Sequence, residues 1–568
     1  MHVQSNEGPL DIMSSDVADL SAYAGRWVAL FGDQVTGVGE TAEAAAQMAR
    51  HSRPKERFAL RFVDDPSGEP LSLSPLLERL RPLFQTQSQP VYLVGGAVRD
   101  ALLGRVSHDL DFVVPANAVQ LAFQVADALG VPAYVLDRER DTGRVILPEA
   151  RTSLDFARFR GSDLAADLRD RDLTINAIAL PATATTTAGL IDPHNGQADL
   201  SAELVRIIHE RSLLDDPVRC LRAVRLAHSL RFTLTPETET AVRAAASHLN
   251  NISTERIRDE LLKLLETAVP HQAVADLANL GLLAEILPDI VALTTVEQSA
   301  PHHEPVFAHT LSVLRWLTLI ENAVENEPQR TQSTPREKNK NFALSASFAV
   351  KKVLKPYAEQ IQVLWQEEVD GGVNGRLLLR LGALFHDVGK AETQPFEPDG
   401  RIRFIGHEKT GADLTGRVLR RLSLSNEAIA YVKKIVAGHM RPLHLANSGG
   451  NLSRRTVYRY FRATAVSGIN IALLSLADHL ATYNGTGPVE QWQALLRVVG
   501  ELCHHYFERR EETVMPPPLV DGRTLMQALE LSPGPEVGRL LRLIQEAQAA
   551  GELETAESAI EFARTCHK

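Results

Sequence analysis

The spacing of apolar positions changes twice along the chain. Between residues 17 and 70, "RWVALF" and "QVTGVG" read as short strands on either side of Gly32-Asp33, a two-residue hairpin signal. An Ala-rich helical stretch follows, "RFALRFV" returns as a strand, and "DDPSGEP" closes a small β-β-α-β module. From 72 to 195 the two periods alternate. "SPLLERLRPLF", "AVRDALLG" and "AVQLAFQVADALG" have helical spacing, whereas "VYLVGG", "HDLDFVV", "AYVLDR", "RVILPE" and "SLDFARF" read as strands. This predicts an α/β head with a sheet of about five strands. Beyond residue 200 strand signals nearly vanish and amphipathic helical patterns take over.

The expected class is therefore α+β: an accessory module (17–70), a head (72–195), a helical neck (196–299), a second helical domain (300–490) and a helical tail (491–568). Within the second helical domain, residues 321–341, which contain "ENEPQRTQSTPREKNKN", lack an apolar period and are predicted to be a disordered loop. Residues 1–16 are polar and expected to fray. Composition changes little in this picture. With 44% apolar residues a large core is available, and a net charge of −11 excludes a uniformly basic coat while leaving room for a local basic groove. Cys220, Cys503 and Cys566 have neither metal nor disulfide spacing, as expected in a reducing cytoplasm. No secretion signal or membrane span is predicted.

Candidate chemistry starts in "YLVGGAVRDALLGRVSHDLDFVV" (92 to 114). Alternation along a strand points Asp109 and Asp111 to one side, where two like charges repel and are costly to dehydrate unless a cation joins them. Backbone N–H groups freed at Gly95-Gly96, at the start of a helix, are suited to phosphate. Two carboxylates beside them are a ligand pair for Mg²⁺ ions bridging those phosphates to an attacking hydroxyl. The chain lacks a G-x-x-x-x-G-K-[ST] loop and a kinase signature set.

"VGGAVRDALLG" with "HDLDFVV" resembles the head of class II tRNA nucleotidyltransferases, the family of CCA-adding enzymes and bacterial poly(A) polymerases. "DLRDRDLTINAIAL" is similar to that family's ribose-contacting motif, "LLDDPVRCLRAVRLAHSLRF" to its base-selecting motif, and "STERIRDELLKLL" to its neck motif, all in the family's order. The C-terminal "DGRTLMQALELSPGPEVGRLLRLIQEAQAAGEL" is similar to the tail of members with an HD domain. The resemblance implies that Gly95, Gly96 and Arg99 position a triphosphate, that Asp109 and Asp111 are the catalytic metal ligands, and that Arg171 and Asp172 contact the sugar. Asp170 stands where the family often has a second Arg, and Asp215 where it usually has Glu. Residues at i and i+3 share a helix face, so Asp216 is placed to accept from an exocyclic amine while Arg219 donates to the adjacent ring nitrogen. Adenine and cytosine both present that edge; guanine and uracil present a carbonyl instead.

Downstream, "FAHTLSVL", "LFHDVGK", "GHEKTG", "AGHMRP" and "LADHL" supply His309, His386, Asp387, His407, His439 and Asp478 in order. His with Asp is a ligand mix for a divalent ion that activates water. The set resembles the all-helical HD phosphohydrolase superfamily. That resemblance implies one metal on His309, His386, Asp387 and Asp478, and a second involving His407 and His439. The ion would be a divalent transition metal or Mg²⁺, and the substrates phosphomonoesters or 2′,3′-cyclic phosphates.

The expected function is template-independent addition of C and/or A to a tRNA 3′ end from CTP and ATP, with Mg²⁺ in the head and a phosphohydrolase activity in the HD domain. Expected partners are tRNA or another RNA 3′ end, ATP and CTP. The nearest alternatives are a poly(A) polymerase or an enzyme restricted to A or CC addition, and then a chain that is chiefly an HD phosphohydrolase.

Overall fold

The computed structural model describes residues 19–147, 152–325, 337–393, 401–449 and 452–567. It forms two compact units, one running to Arg219 and including Arg231–Ala241, the other comprising Cys220–Leu230 and the chain from Val242 onward.

The first unit opens with β1 (Trp27–Phe31), β2 (Gln34–Gly39), α1 (Ala42–Ser52) and β3 (Ala59–Phe62), an antiparallel sheet in the order β2-β1-β3. Gly32 turns the hairpin at a φ of 57°, which a side chain would disfavour. Thr41 caps α1 by accepting from the Ala44 N–H at 3.2 Å, and α1 buries its alanines on the sheet. Residues 19–70 share one unit with the head. Trp27 packs edge-on against Tyr92 at 5.6 Å, Leu60 N–H donates to the Gln87 carbonyl, and the Asp64 carboxylate accepts from Thr185 N–H and Thr186 Oγ1.

The head comprises α2 (Pro75–Gln85), β4 (Tyr92–Val94), α3 (Gly96–Leu102), β5 (Leu110–Val114), α4 (Ala118–Leu129), β6 (Ala133–Asp137), β7 (Thr142–Leu147), β8 (Thr152–Arg158), α5 (Leu164–Arg169) and β9 (Ala179–Pro181). Its sheet has six strands in the order β6-β7-β8-β5-β4-β9, with only β5–β8 parallel among these pairs. The extra strand is β9, three residues long and wholly buried; its "ALP" shows no alternation, so the pattern gave no strand signal. Phe84 of α2 packs on Phe112 of β5, which stacks on Phe156 of β8 at 4.9 Å, while α4 lies against Gly143 of β7. This face is the core. The opposite face carries Asp111, Arg144 and Asp155.

Among the described residues the second unit is helical apart from one short strand pair, Glu368–Asp370 with Val373–Asn374. The helices Val306–Glu325, Gly375–Phe385, His407–Arg421, Asn426–Gly438 and Gly468–Thr482 form its centre, and a separate apolar cluster that includes Leu525, Leu540, Ile544 and Ala559 holds the C-terminal helices together. The predicted loop 321–341 is helical at both ends. Residues 321–325 finish the helix Val306–Glu325, the next helix starts at Glu337, and 326–336 lie outside the described residues, as do the N-terminal residues expected to fray. Glu321 misled the pattern because it is a buried charge. Arg380 meets its carboxylate at 2.5 Å and also donates to the carbonyls of Leu265 and Thr267, so the pair is compensated in the core. One run, Arg454–Thr482, is apolar enough by composition to cross a membrane, and 78% of its apolar window is buried inside the fold.

Candidate active site

Asp109 immediately precedes β5 and Asp111 is its second residue. The register of β8 beside them shows that both carboxylates lie on one face. Ser153 donates to Asp109 from its N–H at 3.2 Å and its hydroxyl at 3.1 Å, and Asp155, two residues further on, is directly opposite Asp111. Asp155 is a third acid that sequence reading missed. It was visible only as a polar position in "SLDFARF", and its place beside Asp111 comes from the β5–β8 pairing. Arg144 of β7 holds Asp155 through two bonds of 2.7 Å. Asp111 keeps solvent access on a floor dense in protein. Burial pushes its pKa up, Arg171 opposes that shift, and the Asp155 and Asp109 charges reinforce it. The face is therefore short of positive charge at the point where a divalent cation would sit, and its three carboxylates are hard oxygen donors that fit such an ion.

The glycine pair borders this floor. Gly95 sits at φ 72° and ψ −139°, and a Cβ there would come 3.2 Å from Asp111 Oδ2 and 3.4 Å from Arg171 Nη1. Gly95→Ala is therefore expected to cost about 1–3 kcal/mol of stability through backbone strain. It should also raise the KM for nucleotide; urea denaturation and initial-rate assays check the two effects. Arg99 follows on α3, where its Nη1 donates to Asn176 Oδ1 at 2.8 Å while its Nε meets Asp100. Asn176 in turn donates to Asp172 Oδ1 at 3.1 Å, and Asp172 is buried. Arg171 and Asp172 thus have separate partners and diverge. The Arg171 guanidinium is held by the buried Asp167 at 3.0 Å and faces the Gly95–Asp111 corner. Asn176 and Asp167 are further members of the site that sequence reading did not single out.

Asp216 stands just before the helix that carries Arg219. The helix Arg211–Asp215 ends before Asp216, Pro217 intervenes, and the next helix is Val218–Leu230. Arg219 N–H donates to the Asp216 carbonyl at 3.0 Å, and the side chains approach at 3.7 Å. The Arg219 guanidinium is committed to Ser212 Oγ at 2.7 Å, the Asp170 carbonyl at 2.9 Å and the Ser212 carbonyl at 3.3 Å. It ties the segment before Arg171 to the base-selecting motif. Asp170, where an arginine was expected, contributes a carbonyl here, and its carboxylate lies 3.5 Å from Arg160.

Residues 91–206 match the family model described as the poly A polymerase head domain, 231–293 the probable RNA and SrmB-binding site of polymerase A, and 409–563 tRNA nucleotidyltransferase domain 2. The A-adding tRNA nucleotidyltransferase of Deinococcus radiodurans is 33% identical over 494 residues, spanning 85% of this chain and 97% of the relative. The chain belongs to the class II tRNA nucleotidyltransferase family. A second member, the CC-adding tRNA nucleotidyltransferase of Thermus thermophilus, is 31% identical over 476 residues, covering 83% of this chain and 92% of that one. A solved CCA-adding enzyme in complex with CTP superposes with a TM-score of 0.53 over 88% of this chain and 97% of its own, at 20% identity, and so shares the fold.

This family member has a second constellation in its helical unit. His309, His386 and Asp387 bring ligand atoms within 4.8 Å of one another, as do Asp387, His407 and His439. Asp478 Oδ1 lies 3.0 Å from His309 Nε2. His386, His407 and His439 are each fixed through Nδ1 by a backbone carbonyl, of Ala383, Phe404 and Val436 respectively. A carbonyl only accepts, so each Nδ1 carries a proton, and in the neutral ring each Nε2 offers a lone pair to a metal. The six sequence-predicted residues therefore converge around Asp387. Lys390, not foreseen, pairs with Asp387 Oδ2 at 2.7 Å. Burial alone would raise the Asp387 pKa, but His386 and Lys390 hold it well below the usual carboxylate range. Burial pushes the His439 imidazole down to about 3, which keeps it neutral.

Proposed function

We propose that this chain adds C and/or A to the 3′ end of tRNA, using CTP and ATP without a template and releasing pyrophosphate. The observation that carries the reading is the row of Asp109, Asp111 and Asp155 beside the Gly95 corner in a chain of this family. Asp109 and Asp111, with Asp155 adjacent, would hold Mg²⁺. A divalent ion bound there supplies charge neutralisation at the triphosphate and lowers the pKa of the primer hydroxyl. The residues of the chain do the remaining work. The Gly95 bend leaves the space above Asp111 open, and Arg171 and Arg99 present positive charge to the phosphates. Asn176 links Arg99 to Asp172, so the sugar-contacting acid and the phosphate-contacting cation move as one body. The 3′-hydroxyl then forms the bond to the α-phosphorus as the bond to pyrophosphate breaks.

Base choice is assigned to Asp216, whose carboxylate accepts from the exocyclic amine of adenine or cytosine and finds no proton on guanine or uracil. Arg219 pins the backbone on which Asp216 is displayed. Asp216→Ala is expected to lose about 1–3 kcal/mol of discrimination against GTP and UTP, by the cost of a missing buried hydrogen bond. Relative incorporation of the four nucleotides measures it, and an unchanged ranking would return Asp216 to a purely structural role. The enzyme as a whole is tested with tRNAs ending before C, CC or CCA, each nucleotide being supplied separately. The ladder of products separates full CCA addition from the A-only, CC-only and poly(A) readings; relatives of both the A-adding and CC-adding kinds keep all of these in play.

A second activity is favoured by the three histidines with fixed tautomers around Asp387. His309, His386, Asp387 and Asp478 would hold one divalent ion, and His407 and His439 would contribute to a second. Such an ion supplies an activated water for phosphoester hydrolysis. The proposed setting is the cytoplasm, in keeping with the reduced Cys503 thiol buried in the core.

A further inference from the structure

The catalytic face of the head sheet does not end at the acids. Strand register runs in one row from Asp111 on β5 to Asp155 on β8, Arg144 on β7 and Tyr134 on the edge strand β6. Residues opposite one another in a sheet project to the same side, so Tyr134 faces the side that carries the acids. Arg144 between them is already bound to Asp155. Beyond it Tyr134 is 53% exposed and Ile146 36%, while Asp137 stands opposite Thr142 further along the same face. Ile146 pairs with Ser153, the residue that hydrogen-bonds Asp109, so it lies one strand position away from that carboxylate. Tyr134 stands at the far end of the row that starts at Asp111, with half of its surface open to solvent. Its ring has no aromatic partner among the described residues.

We propose that Tyr134, flanked by Ile146, is a stacking platform for a base of the RNA primer a few nucleotides back from the reacting 3′-hydroxyl. This rests on the nucleotidyltransferase reading of the acid row. Three strand spacings of about 4.8 Å put Tyr134 roughly 14 Å from Asp111. That is the span of a few nucleotides at the roughly 3.4 Å rise of a stacked strand. A primer end crossing the acids must continue over some surface, and the row beyond Asp155 offers one exposed aromatic face with Ile146 to one side. Stacking on an aromatic ring accepts any base, which suits an enzyme that extends many tRNAs and whose own product changes the terminal base at each step.

The test compares Tyr134→Ala and Tyr134→Phe with the parent protein. Tyr134→Ala should raise the KM for primer on the order of tenfold while leaving kcat at saturating primer and the KM for CTP and ATP near parental values. Tyr134→Phe should behave like the parent, because the ring and not the hydroxyl carries the contact. Single-stranded primers with 2-aminopurine at each of the last four positions give a direct reading. One position should be quenched by the parent and by Tyr134→Phe, and released by Tyr134→Ala. If the parent extends RNA but Tyr134→Ala keeps both its primer KM and its quenching, the stacking proposal is overturned while the enzymatic reading stands. If the parent adds no nucleotide to any RNA, the enzymatic reading itself fails. Should Tyr134→Ala instead convert a dimer to a monomer in sedimentation, with primer KM unchanged, the edge strand serves a second copy of this chain and the proposal is again overturned.

Discussion

Asp111→Ala is expected to reduce nucleotide addition at least about a thousandfold, because neutralising charge at a transferring phosphoryl group is worth several kcal/mol. Asp109→Ala should do the same. Neither loss should come from unfolding. The Asp111 pKa is raised, first by burial and then by Asp155 and Asp109 against the pull of Arg171. An acid with a raised folded-state pKa binds its proton more tightly in the folded chain than in the unfolded one. Its contribution to stability is therefore greatest at low pH and falls away as pH rises through the folded pKa. Once ionised, Asp111 is a burden on the fold. Asp111→Ala should melt no lower than the parent at pH 7, with the difference between the two moving in the parent's favour as pH falls. Incorporation of labelled CTP or ATP at saturating Mg²⁺, with thermal melts at pH 7 and at lower pH, checks both halves. Near-parental incorporation would remove Asp111 from the reaction.

The second large effect belongs to the helical unit. A joint His386→Ala, His407→Ala variant should lose metal-dependent release of phosphate from RNA ending in a 2′,3′-cyclic or terminal phosphate, while nucleotide addition stays within about twofold of the parent, as expected of sites that share no partners. Histidines are the better targets. Removing Asp387 would leave the buried Lys390 ammonium, 2.7 Å away, without its counter-charge, and such a loss costs several kcal/mol. The assay is run with Mg²⁺, Mn²⁺, Ni²⁺ and Co²⁺ in turn, since imidazole-rich sites favour the later ions. Equilibrium dialysis against Ni²⁺ adds a readout independent of turnover: the parent should retain ion that the variant does not. A parent that binds no metal and hydrolyses nothing would make the cluster a structural one. A variant that folds, binds tRNA and yet fails at nucleotide addition would show that the two chemistries are coupled.

The apolar run in "RWVALF", the Gly32-Asp33 turn and the helical period of "AVQLAFQVADALG" are local features, and the corresponding strand, turn and helix form where they point. Local physics suffices there because a half-buried strand or amphipathic helix writes its buried face into its own sequence. The family too was legible, through motifs short enough to survive as strings.

Other features were beyond that reading because they depend on groups distant in sequence. β9 is buried on both faces and has no alternation to detect. Glu321 looks like a loop residue until Arg380, 59 positions later, meets it in the core. Asp155 becomes a member of the acid row only when β8 pairs in parallel with β5. The Arg219 guanidinium, read from the sequence as a base donor, is spent on carbonyls supplied by Asp170 and Ser212. The chain by itself thus determined which residue types were available for phosphate, sugar, base and metal. Tertiary structure decided which of them face one another, because strand register and buried charge pairing are settled by partners tens of residues away, where no local period carries the information.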